Sequence, residues 1–453
     1  MMTGGSQDRV GAGAYAIVAV LVLASVLSFL DRAILGLMVD PIRRELHVGD
    51  AQIGLLSGFA FALFYAFLGL PFGRWADKNN RTLLIIGGVL TWSLATAAGA
   101  FTRGFPSLFV TRMLVGVGEA TLGPAALSLV ANIFPKHRIG FTLGLLATGI
   151  TLGNGVAVVF GGLLVQWSET VTFNLPLIGN IGGWRLVFIV VGACGLPVAA
   201  LIGIVVREPS RHEAAAAPTL PQLFRQIKQQ ASAYGLITAG YSLMVVMSFA
   251  QFMWGPTYFL RIHHMSVSGF GKFYGVVMGF GGTAGLLAGG AWSDAWTRRG
   301  ITAAPARVNL ISIVLQLPFL LIAYLARDVR LALVGFAVGI LIMCFNGGLQ
   351  SATLQRITPH RMLGSITSIY LICANLVGAG AGPFVIGALS QHLSASGADL
   401  GQALALTGLV SLPLAALFVF LALKPLARSE RSMASLVEVN HGAVFETVPA
   451  DVR

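Results

Sequence analysis

Asp31, Arg32, Arg112 and Glu119 lie well inside long apolar runs of the chain. An ionisable side chain in such a run marks a solute pathway or a proton site, unless it belongs to a buried pair that merely pins two helices together. The chemistry they offer follows from their types. Burial favours the neutral form of a carboxylic acid and a neighbouring guanidinium favours the anion, so a carboxylate whose arginine partner changes between conformations takes up or releases a proton. Arginine also presents a forked donor to an anionic group. The four residues therefore suit proton exchange at Glu119 and Asp31, with Arg112 or Arg32 pairing alternately with a carboxylate and with an anionic solute. Spacing sets their depth. With the first run crossing outward and the fourth inward, Asp31 and Arg112 each lie about seven residues from the outer end of a helix, and at about 1.5 Å per residue they reach one level and can meet. Glu119 follows Arg112 by seven positions, on the same helix face about two turns deeper and near the midplane.

The elements that hold these residues read as membrane helices. The 453 residues are 56% hydrophobic and 10% charged, with mean hydropathy +0.82, whereas soluble domains carry about a quarter charged residues. The apolar runs are continuous rather than alternating, which excludes a barrel. Spans of about 20 residues are expected near 13–38, 51–73, 82–101, 106–131, 139–166, 184–206, 233–260, 271–293, 307–326, 329–354, 362–390 and 401–424. The first is too long for a signal-peptide core and should remain as a span. The fold expected is an all-α integral membrane protein with twelve transmembrane helices. It divides into a six-helix bundle over 1–206, a linker over 207–232, a second bundle over 233–424 and a tail over 425–453 whose polar, aperiodic sequence suggests disorder. Within the linker, Leu220, Leu223, Phe224 and Ile227 follow the i, i+3, i+4, i+7 pattern of a short interfacial helix.

Charge supports this layout. Of the 29 Lys and Arg residues, nineteen fall on the side of the two termini and eight on the other, which predicts cytoplasmic termini and, in a bacterium, residence in the inner membrane. The net charge of +12 is scattered through loops that face anionic headgroups, so no nucleic-acid partner is expected. Cys194, Cys344 and Cys373 have no CxxC spacing and every histidine lies in a loop or the tail, so neither a metal site nor a disulfide framework is expected. GxSxG, HExxH and GxxxxGK[ST] are all missing, which argues against an enzyme, a cofactor or direct use of ATP. A membrane receptor or scaffold is the distant rival, and the duplicated layout disfavours it.

That duplication is visible in the loops. Gly73-Arg-Trp-Ala-Asp77-Lys-Asn-Asn-Arg81 follows the second span and Gly290-Ala-Trp-Ser-Asp294-Ala-Trp-Thr-Arg298 follows the eighth, both GxxxDxxxR. Pro135-Lys-His-Arg-Ile-Gly140 and Pro359-His-Arg-Met-Leu-Gly364 also correspond. Internal repeats of this kind mark transporters built from two related halves. The pattern resembles the loop signature of the major facilitator superfamily. The resemblance implies two pseudo-symmetric six-helix bundles around a central cavity, opening alternately to either side, with Gly73, Asp77, Arg81, Gly290, Asp294 and Arg298 as a cytoplasmic gate whose glycines allow close helix approach.

Phe29-Leu-Asp31-Arg32 in the first span and Arg112-Met-Leu-Val-Gly116-Val-Gly118-Glu119-Ala120 in the fourth resemble the Spinster-like branch of that superfamily, as does Arg207-Glu-Pro-Ser-Arg211. This resemblance implies proton-coupled movement of a lysophospholipid or sphingolipid, with Asp31, Arg32, Arg112 and Glu119 as coupling and headgroup residues and one chain as the working unit. Smaller amphiphilic or anionic solutes and drugs are the alternative cargo. The second half has no ionisable interior residue but carries a Met and aromatic stripe in its first span, suited either to an apolar solute or to helix packing. Tyr65, Thr148, Asn154, Trp254, Asn346, Gln350, Tyr370 and Asn375 are candidate cavity-lining residues, because polar groups facing lipid are unfavourable. The fifth span has Gly149, Gly153 and Gly155 but lacks the Gly-Pro step of antiporter signatures, so direction does not follow from it. Gly378 to Pro383 should bend the eleventh span.

Overall fold

The computed structural model describes residues 12–134, 136–175, 179–208, 219–359, 362–394 and 399–446. Eleven helices among them are long and apolar enough to cross a membrane, and the fifth span adds a shorter apolar stretch, Leu152–Ser168. The first half runs through Ala12–Leu37, Asp50–Ser57 continuing as Phe59–Lys78, Arg81–Gly99, Phe105–Glu119 continuing as Leu122–Ile133, Lys136–Ser168 and Trp184–Val205. The second runs through Ala231–Arg261, Val267–Arg298, Ala304–Leu325, Val329–Ile357, Leu363–Ser394 and a helix from Leu400. A helix over Val39–Leu46 and a hairpin, Thr172–Leu175 with Gly179–Gly182, cap the end away from the termini. Large apolar side chains such as Phe67, Ile204, Phe280 and Phe420 stay exposed around the outside, as they must where hydrocarbon is the solvent.

Glycine decides how the spans approach one another. A Cβ on Gly118 would sit 2.7 Å from the Gly88 carbonyl, and one on Gly116 would sit 2.5 Å from the Phe61 carbonyl. The second, third and fourth spans therefore touch backbone to backbone, which brings Arg112 and Glu119 against the first span. The eleventh span is wound as a π-helix over Ala374–Ala381, directly before Gly382-Pro383. Proline removes a backbone donor, and the wider winding accommodates the loss.

Two sequence expectations need correction. The last helix continues through Glu446 instead of ending near 424 in a disordered tail. It is anchored by Glu430, which accepts the Ala303 N–H at 2.8 Å and pairs with Arg356 at 3.3 Å. These contacts tie the polar stretch just after Arg428 to the second bundle; residues 447–453 lie outside the described residues. Close helix approach at Gly73 and Gly290 is also missing. A Cβ on Gly73 would meet only Pro124, at 3.8 Å, and one on Gly290 would meet nothing within 4 Å. Gly73 thus has a neighbour at ordinary van der Waals distance and Gly290 faces open space, so neither marks a tight helix contact.

The linker helix forms over Leu220–Gln229. Gln222 accepts the Thr219 N–H at 3.0 Å at its start, Leu223 is buried and Phe224 is exposed. Residues 209–218, Arg211 among them, lie outside the described residues.

Candidate functional site

Two arginine–carboxylate pairs occupy the interior of the first bundle. Asp31 is buried between the first, third and fourth spans. Its Oδ1 accepts from Thr96 Oγ1 at 2.5 Å and its Oδ2 accepts from Arg112 Nη1 at 3.0 Å. Glu119 is equally buried, and its Oε2 accepts from Ser28 Oγ at 2.6 Å and from Arg32 Nε at 2.8 Å, with Arg32 Nη2 closing a second bond. The first span thus sends adjacent residues to two levels of the fourth. Depth reasoning brings Asp31 and Arg112 together, and the structure does the same. The Arg32–Glu119 pair is one of the pairings that the sequence leaves open, because the rotation of one helix about another is not written in the spacing of either.

The two pairs are unequally satisfied. Arg32 uses two nitrogens on Glu119, while its guanidinium lies 4.2 Å from the Phe61 ring centroid and 5.4 Å from that of Tyr65. Such ring faces stabilise a desolvated cation. Arg112 makes one bond to Asp31 and rests 4.9 Å from the Phe188 ring centroid. Its Nε and Nη2 are buried without a hydrogen-bond partner, as is Glu119 Oε1. Buried donors and acceptors are nearly always paired, so these three atoms are exceptions within the described interior. Asp31, Arg32 and Arg112 line a cavity of about 30 Å³ closed on the far side by Phe249, Phe252 and Met253 of the seventh span. That volume holds little more than water.

The other expected lining residues divide. Tyr65 stacks on Phe61 with centroids 5.2 Å apart and stands beside Arg32. Tyr370 donates to Gln350 and lines a cleft of about 550 Å³ between the seventh, tenth and eleventh spans, whose walls include Leu243, Leu354, Ile366 and Ile369. Asn154 and Asn375 are half-buried; the side chain of Thr148 lies outside the described residues. Trp254 is fully buried and donates to the Pro383 carbonyl at 2.8 Å, a tie between the seventh and eleventh spans. Asn346 accepts from Asn309 Nδ2 at 2.7 Å and Ser312 Oγ at 2.6 Å inside the second bundle. Most of the seventh-span stripe, including Met244, Met247 and Tyr258, is likewise buried packing. A polar residue in a span must find partners, and a neighbouring helix supplies them as readily as a cavity.

At the terminus end, Arg81 is buried and binds Glu208 at 2.7 Å and the Ser128 carbonyl at 3.2 Å. Glu208 Oε2 also accepts the backbone N–H groups of Arg81 and Thr82 at 2.9 and 3.1 Å. Burial alone would push the Glu208 carboxyl up, but the Arg81 side chain and these N–H donors together hold it below its ordinary value. Asp294 and Arg298, at the matching places of the second repeat, are exposed. The Asp77 side chain lies outside the described residues. Sequence reading missed Glu208 as a partner; the only signal was its place beside Arg207 at the end of the sixth span. Asp40, Asp50 and Arg261, which carry no motif in the sequence, also meet at the opposite end.

Comparison with known proteins agrees with this architecture. The family model described as Major Facilitator Superfamily matches residues 21–383. An MFS-type efflux pump of Mycolicibacterium smegmatis is 28% identical over 403 residues, spanning 87% of this chain and 89% of the pump. Protein spinster homolog 1 of Xenopus tropicalis is 23% identical over 398 residues, 83% of this chain and 73% of that protein. The crystal structure of a bacterial homolog to the human lysosomal transporter Spinster, in an inward-facing and unoccupied conformation, superposes with TM-score 0.77 at 23% identity. The match covers 95% of this chain and 99% of that one. These similarities support the Spinster-like resemblance of the first- and fourth-span motifs.

Proposed function

Because the chain belongs to the Major Facilitator Superfamily, a family of transporters, we propose that it is a proton-coupled transporter of an anionic amphiphile of the lysophospholipid or sphingolipid type. One observation carries the reading: Arg112 keeps two buried guanidinium nitrogens without partners while Glu119 keeps one such oxygen. Arg112 is the group that receives the substrate's anionic headgroup, through the fork it has to spare. Glu119 carries the proton on Oε1. Arg32 holds Oε2; when the first span moves relative to the fourth, that pairing loosens and a proton takes its place. Asp31 keeps Arg112 oriented, with Thr96 fixing its other oxygen. The apolar cleft lined by Leu243, Leu354 and Ile369 takes the hydrocarbon tail. The positive-inside count supports cytoplasmic termini, and one chain holds every group named.

The test is uptake into proteoliposomes of a panel of lysophospholipids, sphingoid lipids and small organic anions, with and without an imposed pH gradient. A lipid transported only with the gradient, and reduced to the level of empty vesicles by Glu119→Gln, is the expected result. Undiminished gradient-driven transport by Glu119→Gln removes that residue from coupling. The likeness to the mycobacterial efflux pump supports one second reading, export of smaller amphiphiles or drugs, and selective movement of water-soluble members of the panel would favour it.

A further inference from the structure

At the end away from the termini a cleft opens where the first, fifth, seventh and eighth spans come together. It holds about 180 Å³, space for roughly six waters. Its walls are apolar, Leu37 and Val165 from the first half and Leu260 and Val267 from the second, while Arg44 and Glu169 supply charge. Both charged side chains are exposed, and neither has a hydrogen bond or ion pair among the described residues. Arg44 also lines an adjoining space of about 400 Å³ with Arg43 and His47, and Asp40 belongs to both.

His47 is the unexpected member. It ends the helix over Val39–Leu46 with its own N–H bonded to the Arg43 carbonyl, at a φ of 53°. That left-handed conformation suits glycine and is unfavourable by about 1–2 kcal/mol for any other L-residue. Strain of this kind clusters at ligand sites, and here it sets an imidazole beside Arg44 where glycine would end the helix without strain.

The cleft is closed on its inner side. Thr257 of the seventh span donates to the Gly36 carbonyl of the first at 2.9 Å, and both residues line it. Spans five and eight close beneath it: a Cβ on Gly162 would stand 3.0 Å from the Val267 carbonyl and one on Gly271 3.0 Å from the Val158 carbonyl. A group seated here rests on that seam and does not pass between the two spans into the interior. Further along the same spans Phe160, Leu163, Val276 and Phe280 are exposed, where hydrocarbon is the solvent.

These groups match a phospholipid headgroup that carries both a phosphate and a primary amine. The Arg44 fork takes the phosphate, an imidazole N–H of His47 adds a donor, and Glu169 accepts from the ammonium. A quaternary amine has no N–H to give Glu169, and a headgroup with a phosphate and no amine leaves that carboxyl without a partner. We propose that this cleft is a binding site for a resident phospholipid of the ethanolamine type, its headgroup held by Arg44, His47 and Glu169 and its chains lying along spans five and eight. The site shares no lining residue with the cavity at Asp31 and Arg112 or with the larger cleft of the second bundle, so the inference rests on neither the solute moved nor the proton.

The test uses the full chain in nanodiscs that contain a small share of phosphatidylethanolamine with a photoreactive diazirine on its acyl chain, followed by peptide mapping. The bulk lipid is phosphatidylcholine, phosphatidylglycerol or unlabelled phosphatidylethanolamine. Labelling is expected around Leu163 and Val276, about tenfold weaker in bulk phosphatidylethanolamine than in either other lipid. Glu169→Gln should abolish that difference, and Arg44→Gln should lower labelling in every bulk lipid. His47→Gly should lower labelling while Tm stays level or rises, because glycine relieves the helix end. Arg44 and Glu169 have no internal partner to lose, so both variants should fold as the wild type does. The proposal is overturned by labelling of these spans that is absent or equal in the three bulk lipids, by a preference that survives Glu169→Gln, or by labelling that Arg44→Gln and His47→Gly leave unchanged. It is also overturned if glycerophosphoethanolamine, the headgroup without chains, displaces the probe as well as the intact lipid does.

Discussion

Arg81 and Arg298 stand at matching places in the two sequence repeats, yet Arg81 is buried against Glu208 and Ser128 while Arg298 is exposed. The interiors differ in the same sense. The first bundle holds two arginine–carboxylate pairs, whereas the polar interior of the second is built from neutral groups: Asn309, Ser312 and Asn346 in one cluster, and Gln251 with Gln316 at 3.3 Å in another. Amides and hydroxyls can exchange partners but cannot change charge at ordinary pH, whereas a carboxylate beside an arginine can. Duplication therefore supplied two similar frames. The side chains placed in them gave ionisable pairs to the interior of one and neutral polar clusters to the interior of the other.

That contrast can be broken most forcefully at Asp31. Asp31→Asn leaves Arg112 buried beside a neutral amide, and thermal unfolding should show a loss of about 3–5 kcal/mol, together with loss of transport. A loss below about 1 kcal/mol would mean that the first bundle is as tolerant as a neutral one. Arg112→Lys keeps the charge but removes the fork, so the protein should stay folded while binding of an anionic amphiphile, followed by calorimetry, weakens about tenfold. In the second bundle Asn346→Ala deprives Asn309 and Ser312 of a common acceptor, and stability should fall by about 1–3 kcal/mol with the pH dependence of transport unchanged. A shifted transport pH profile would place titration in both halves and erase the distinction.

The loops provide the finest test. Glu208 is held below the ordinary carboxylate value of 4.5, so its stabilising contribution is present above that value and is lost as pH falls through the lower, folded-state one. Glu208→Gln should lower Tm slightly near neutral pH, and the gap to wild type should close on acidification. Because the pair is partly open to water the effect stays within about 1 kcal/mol. Arg298→Ala, its counterpart in the other repeat, should change stability by less than about 0.5 kcal/mol at any pH.

Hydropathy and loop charge were enough to count twelve spans, divide them six and six, and single out Asp31, Arg32, Arg112 and Glu119, because those properties are local and a membrane imposes them at fixed length. Helical rise even set Asp31 level with Arg112. Partner choice was another matter. Arg32 takes Glu119, Thr96 takes the second oxygen of Asp31, Glu208 takes Arg81 and Arg261 bridges Asp40 and Asp50, and most of these pairs are separated by 65 positions or more along the chain. Each depends on how one helix is rotated and slid against another, which glycine contacts such as Gly116 on Phe61 and Gly387 on Asp50 decide. The contact that ties the chain just after Arg428 to the bundle, Glu430 with Ala303 and Arg356, is likewise a distant one. The sequence by itself determined which groups enter the membrane and at what depth; the tertiary structure alone decided which of them touch, because contact between helices is a property of two surfaces and neither carries the other's address.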